Sequence, residues 1–120
     1  MRALLLGASG QVGRELRQRL SGDVVAPGRS QLDLSNADAV AACVRDARAD
    51  VVLNAAAYTA VDAAESDSAM AHKVNADAPA AMARECAKLG SLLVHYSTDY
   101  VFDGTSRSPY DEADATNPTS

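Results

Sequence analysis

A doubly wound parallel α/β sheet is the fold class that this 120-residue sequence predicts, and three observations predict it. Short apolar runs alternate with helix-patterned stretches, which is the chain order of parallel strands joined by right-handed crossovers. The first run, Ala3-Leu4-Leu5-Leu6, passes straight into Gly7-Ala8-Ser9-Gly10-Gln11-Val12-Gly13, with glycines spaced three apart between strand and helix. Polar and small residues follow the later runs directly, at the strand ends where ligands of such sheets lie.

Taken in order, Arg2–Leu6 reads as the first strand. Gly7 permits the tight turn out of it, Gly10 lets backbone approach a pyrophosphate, and Gly13 lets the next helix pack closely on the sheet. That helix is expected over 11–20, with Val12, Leu16 and Leu20 on one face and its positive end near Gln11. Ser21-Gly22 ends it, 24–26 is a short second strand, and Pro27-Gly28-Arg29-Ser30 turns away. A third short strand is expected over 31–34. Ser35 is then read as the cap of a helix running to Arg48, with Asp38 near its positive end.

Val51-Val52-Leu53 reads as a buried strand opening into Asn54-Ala55-Ala56-Ala57-Tyr58. A helical stretch over 68–89 follows, ended by Gly90, with a kink or a break expected at Pro79. Leu92–Ser97 is apolar enough for a central strand, and the chain beyond Thr98 is polar and loop-like.

Composition narrows the function. An apolar content of 48% fits a single globular domain. Eleven basic against sixteen acidic residues, a net charge of −5, argue against a nucleic-acid surface. No run is long enough to cross a bilayer, so no membrane partner is expected. Cys43 and Cys86 lie in helical patterns among alanines and read as buried small hydrophobes of a reducing cytosol, which places the protein in the cytoplasm. His72 and His95 have no metal-ligand spacing; His95 reads as a satisfied core residue, and no metal site is expected.

The strand ends carry the candidate chemistry. After the second strand there is no carboxylate, but Arg29 and Ser30, which suit a 2′-phosphate and favour NADPH over NADH. A solvated arginine in a turn is the plainer reading. Asp33 and Leu34 offer a carboxylate and an apolar wall to an adenine, or simply precede a helix cap. Ala55, Ala56 and Ala57 let a flat ligand lie against backbone; close helix packing explains them equally well. Ser97-Thr98-Asp99-Tyr100 places polar side chains directly after a buried strand, where a hydroxyl can donate to a carbonyl oxygen as charge develops on it, or can cap a turn.

Several of these blocks together resemble one family. Gly7-x-x-Gly10-x-x-Gly13, Asp33-Leu34-Ser35, Asn54-Ala55-Ala56-Ala57-Tyr58-Thr59-Ala60-Val61-Asp62-x-x-Glu65, Asn75 and His95-Tyr96-Ser97-Thr98-Asp99-Tyr100-Val101-Phe102-Asp103-Gly104 are similar to the dTDP-4-dehydrorhamnose reductase family of extended short-chain dehydrogenase/reductases. The resemblance covers essentially the whole chain. It implies a Rossmann-like NAD(P)-binding domain and reduction of the C4 keto group of dTDP-6-deoxy-L-lyxo-4-hexulose to dTDP-L-rhamnose. By the same resemblance Gly10, Gln11 and Val12 contact the cofactor pyrophosphate, Asp33 and Leu34 its adenine, and Ala57, Tyr58 and Thr59 its ribose and phosphate side. Thr98 is implied to bond the reacting carbonyl, and Asp99, Val61 and Asp62 to approach the dTDP-sugar.

One departure matters for mechanism. The family's proton donor is the tyrosine of a Tyr-x-x-x-Lys pair, whose lysine lowers the tyrosine's pKa. Here Tyr58, Tyr96, Tyr100 and Tyr110 are followed four residues later by Asp62, Tyr100, Gly104 and Asp114. The 120 residues are therefore expected to be the N-terminal cofactor-binding part of a longer protein and to reduce no substrate alone. The sheet is expected to be incomplete at its C-terminal side, leaving an exposed edge. The substrate domain, any homodimer contact and any magnesium (Mg2+) dependence are referred to residues outside the chain. Two other readings stay open: a non-catalytic nucleotide-binding regulatory module, and another sugar-nucleotide epimerase or dehydratase.

Overall fold

The computed structural model describes all residues, 1–120. Four strands, β1 (Arg2–Leu6), β2 (Asp23–Val25), β3 (Val51–Asn54) and β4 (Leu92–His95), form one parallel sheet in the order β2-β1-β3-β4. Five α-helices connect them: α1 (Gln11–Arg19), α2 (Ala37–Ala47), α3 (Val61–Ser66), α4 (Ser68–His72) and α5 (Ala78–Leu89). The predicted Rossmann-like α/β class is the observed one.

β1 is central because its side chains are apolar on both faces. Leu4 and Leu6 point into a cluster with Val52 of β3, Val40 and Val44 of α2, and Ala81, Met82 and Cys86 of α5. Ala3 and Leu5 point the other way, with Val51 and Leu53, toward Leu16 and Leu20 around α1. Leu4, Leu5 and Leu6 are fully buried, and each such leucine contributes about 2–3 kcal/mol. The buried positions of α5, namely Ala78, Ala81, Met82, Glu85 and Cys86, follow the three-and-four spacing of a helix face. Glu85 reaches out of that face to Arg45 of α2 at 3.7 Å and to Lys88 at 3.4 Å.

Several expectations are corrected. Residues 31–34 do not form a strand. The N–H groups of Gln31 and Leu32 both donate to the Gly28 carbonyl at 3.0 Å, and Asp33 Oδ1 accepts from Ser35, so local bonds occupy the groups a ladder needs. The cap of α2 is Asn36, whose Oδ1 accepts from the Ala39 N–H at 3.1 Å, rather than Ser35. β4 ends at His95 and lies at the sheet edge, with Leu92 63% exposed, so it is not a central strand of this sheet. The interruption expected at Pro79 is observed: a π-helical turn over Lys73–Asp77 separates α4 from α5, and Pro79 sits in the first turn of α5, where its missing N–H is harmless.

Helix α3 had no counterpart in the expectations from sequence, whereas the 3₁₀ turn over Asp99–Val101, capped by Thr98, matches the turn-capping alternative for Ser97-Thr98-Asp99-Tyr100. On α1 only Gly13 is buried, and Val12 is exposed, so Val12 does not share a core face with Leu16 and Leu20. Cys86 is buried as expected, Cys43 half-buried, and burial raises both thiol pKa values.

Three backbone segments meet at the first turn. Gly7 has φ +80°, and a Cβ there would lie 2.5 Å from the Ala56 nitrogen; a Cβ on Gly13 would lie 1.9 Å from the Gly7 oxygen. Gly28, by contrast, has open space around it. Gly13→Ala is therefore expected to lower stability by about 3 kcal/mol in urea unfolding, while Gly28→Ala changes it by less than about 0.5 kcal/mol. Equal midpoints for the two variants would refute the packing account.

Candidate functional site

The sheet reverses direction of growth between β1 and β3, since β2 lies on one side of β1 and β3 on the other. A cavity of about 980 Å³ opens over the carboxyl ends of these strands. That is the crevice expected for a ligand of a doubly wound sheet.

Its floor is the glycine turn. The N–H groups of Gln11, Val12 and Gly13 have no acceptor in the protein, Gly10 provides no side-chain cap, and the first turn of α1 carries no acidic residue. These amides, with the positive end of α1, make a cradle suited to an anion. Gly7, Gly10, Gln11 and Val12 line the cavity; Gly13 does not, because it is buried beneath the turn where its role is packing.

One wall comes from the segment after β2. Arg29, Asp33 and Leu34 line the cavity, while Ser30 lies just outside it. Asp33 Oδ1 accepts from the Ser35 N–H at 2.9 Å and its hydroxyl at 2.6 Å. These two bonds hold the Asp33 carboxyl below its ordinary value, and they leave Oδ2 without a partner in the protein.

The opposite wall is Ala55, Ala56, Ala57, Tyr58 and Thr59, and two asparagines hold it. Asn54 is buried, its Oδ1 accepting from the Ala56 N–H at 3.2 Å and its Nδ2 lying 3.0 Å from His95 Nδ1. Because the Asn54 oxygen faces an N–H, its amide nitrogen is the donor to His95, whose proton is then on Nε2. His95 is exposed at the end of β4 and tied to Asn54, not a core residue. Asn75, on the π-helical turn, accepts from the Tyr58 N–H at 2.8 Å and donates to the Tyr58 carbonyl at 3.1 Å. The same turn carries Val74 toward the cavity, and Met70 joins it from α4.

The sequence reading gave neither Met70, Val74 nor Asn75 a role in the site. The i,i+4 spacing of Met70 and Val74 was the available signal for a shared helix face.

Thr98, Asp99, Val61 and Asp62 lie outside this cavity's lining. Thr98 follows β4 on the same edge of the sheet, is exposed, and caps the 3₁₀ turn by accepting from the Tyr100 N–H at 3.2 Å. Val61 and Asp62 begin α3, just after the Tyr58-Thr59 wall. No group of His, Cys, Asp and Glu has metal-binding geometry, and no helix is long and apolar enough to cross a membrane.

A parallel sheet with helices on both faces and an amide-lined, glycine-floored crevice at its switch point defines a Rossmann-like domain. Comparisons with known proteins narrow the class. The family model described as "RmlD substrate binding domain" matches residues 1–120, and the chain belongs to that family.

The dTDP-4-dehydrorhamnose reductase of Burkholderia thailandensis is 54% identical over 120 residues, covering 98% of this chain and 40% of that protein. The Mycobacterium tuberculosis protein of the same name is 44% identical over 124 residues, again covering 98% and 40%. Among solved structures, a Clostridium acetobutylicum dTDP-4-dehydrorhamnose reductase superposes with TM-score 0.93 at 40% identity, covering all of this chain and 44% of that one. A Bacillus anthracis dTDP-4-dehydrorhamnose reductase in complex with NADP gives TM-score 0.89 at 34% identity, covering 98% and 43%. The chain thus spans about two fifths of the length of the curated relatives it matches.

The Asp33 environment gives a pH prediction. Ser35 stabilises the ionised carboxyl, so its contribution is complete above the ordinary value of 3.8 and declines as pH falls through the lower folded value. An NMR titration of the Asp33 carboxyl carbon is expected to show a midpoint below 3.8, moving back up in Ser35→Ala. An identical midpoint in both proteins would exclude the hydroxyl as its cause.

Proposed function

We propose that this chain is the N-terminal, cofactor-binding part of a cytoplasmic NADPH-dependent reductase of dTDP-linked keto sugars. Its reaction is reduction of the C4 keto group of dTDP-6-deoxy-L-lyxo-4-hexulose to dTDP-L-rhamnose. The observation that carries the reading is the pair of partnerless amides at Gln11 and Val12, on a cavity lined also by Arg29 on one wall and Thr59 on the other. The relatives' shared name and the NADP held by the Bacillus anthracis protein support the chemistry.

In this reading Gly10, Gln11 and Val12 bind the pyrophosphate through backbone N–H groups. Arg29 takes the 2′-phosphate with charge-assisted bonds, and the absence of a carboxylate beside it favours NADPH over NADH. The free Oδ2 of Asp33 accepts from the adenine amino group and Leu34 covers the ring. Ala55, Ala56 and Ala57 give the ribose and nicotinamide side a wall of backbone without bulk, held in place by Asn54 and Asn75. When bound, the reduced nicotinamide supplies hydride to the keto carbon.

Thr98 donates its hydroxyl to the carbonyl oxygen as charge develops there, and Asp99, Val61 and Asp62 contact the sugar. None of the four tyrosines has a lysine at the fourth following position, so the proton donor is assigned to residues beyond these 120.

Two measurements test this. Arg29→Ala is expected to weaken NADPH binding about tenfold while NADH affinity stays within about twofold, as fluorescence titration would show. Equal losses for both cofactors would remove the phosphate role. In the whole protein, Thr98→Val is expected to lower kcat/KM for the dTDP-keto sugar about 100-fold with NADPH affinity unchanged. A whole protein that binds the cofactor yet never oxidises it with this sugar would be a binding module instead.

A further inference from the structure

Four donors from three residues converge on Asp103, five residues after Thr98. Its Oδ1 accepts from the Thr105 N–H at 3.0 Å, the Thr105 hydroxyl at 2.7 Å and the Tyr110 hydroxyl at 3.1 Å. Its Oδ2 accepts from Asn117 Nδ2 at 3.1 Å. The Thr105 bonds are those of an ordinary local turn. Those from Tyr110 and Asn117 are not local, for they bridge 7 and 14 residues.

Both distant partners are fixed a second time. The Tyr110 ring stacks on Phe102 with centroids 4.4 Å apart and planes within 5°. Asn117 also donates its backbone N–H to the Val101 carbonyl at 2.9 Å. The 3₁₀ turn Asp99–Val101 is thereby held from both ends, by the Thr98 cap at its start and by Asn117 at its finish. An ionised carboxylate accepts only, and each of its oxygens here faces donors alone, so nothing in the arrangement asks for a proton on Asp103. The same bonds hold its carboxyl far below the usual carboxylate range.

We propose that Asp103 is a positioning residue that gathers residues 103–117 around the turn bearing Thr98 and Asp99, shaping the sugar side of the site before substrate arrives. The proposal rests on the reductase reading of Thr98 and Asp99. A segment of this length with no strand or long helix of its own pays ordering entropy when it binds; a hub that orders it beforehand moves that cost into folding. Asp103 touches no reacting atom, and its effect on the reaction runs through the placement of Thr98.

The whole protein is compared as parent, Asp103→Ala, Asp103→Asn and Asp111→Asn, with NADPH affinity and with kcat and KM for the dTDP-keto sugar measured separately. Asp103→Ala is expected to raise the sugar KM about tenfold and lower kcat, while NADPH affinity stays within about twofold. Asp103→Asn is expected to recover most of that loss. Its carbonyl oxygen keeps the three Oδ1 contacts, and the Asn117 amide can turn to present its own oxygen to the new NH₂ group. Asp111, which caps only its own turn through the Ala113 N–H, serves as the loop control and is expected to match the parent.

A sugar KM unchanged in Asp103→Ala overturns the proposal, as does a loss of NADPH affinity in step with the KM, which would mark a general structural role. A parent that binds NADPH but neither reduces nor binds the sugar overturns the reductase reading and this proposal together. An active parent with an unaffected Asp103→Ala removes this proposal alone.

Discussion

Everything at the candidate site depends on how closely three pieces of backbone approach one another beneath the first crossover. Gly7 turns with positive φ against the Ala55–Ala56 peptide, and the Gly13 carbon rests on the Gly7 carbonyl. No side chain fits between them. That contact seats α1 with its first N–H groups open to the crevice, and it sets the distance between the glycine turn and the opposite wall. A methyl group at Gly13 would push the helix end off the sheet, and the row of free amides would no longer point at one place.

Around this close packing the walls are fixed by side-chain amides and carboxylates rather than by secondary structure. Asn54 joins β3 to β4 through His95 and holds the Ala56 N–H; Asn75 grips both backbone groups of Tyr58; Asp33 is held by Ser35. Asn54 ends β3, Asn75 lies on an irregular helical turn and Asp33 in the connection from β2 to α2, where nearby backbone groups lack regular partners and would otherwise bond to water. The π-helical turn at Lys73–Asp77 has a clear consequence in this scheme. It places Asn75 against Tyr58 while Val74 lines the cavity and α5 continues into the core. Asp103 extends the same principle to the segment after β4.

The sheet is covered unevenly. One face carries α2 and α5 over a cluster of twelve buried residues, whereas the other carries α1 over four. β4 has a partner only in β3 and leaves Leu92 exposed. In the proposed reading the nucleotide side of the site is densely built within these residues, and the sugar side is represented by Thr98, Asp99 and the segment gathered around Asp103.

Sequence alone determined the α/β class, the four strands and the glycine turn, because each is a local matter: apolar runs, their alternation with helical spacing, and glycines where a side chain would collide. It also singled out Arg29, Asp33 and the alanines after β3, which do line the cavity. Tertiary structure decided what depends on partners distant in the chain. Residues 31–34 looked like a strand until their hydrogen bonds were used up in turns, and β4 looked central although no strand here pairs with its far side. His95 looked like a core residue because it ends an apolar run, yet its place follows from Asn54, 41 residues earlier. Asn75 and Asp103 likewise take their roles from distant partners. A polar residue's role is set by which donors and acceptors the fold brings to it, and that is a property of three-dimensional proximity which no local pattern encodes.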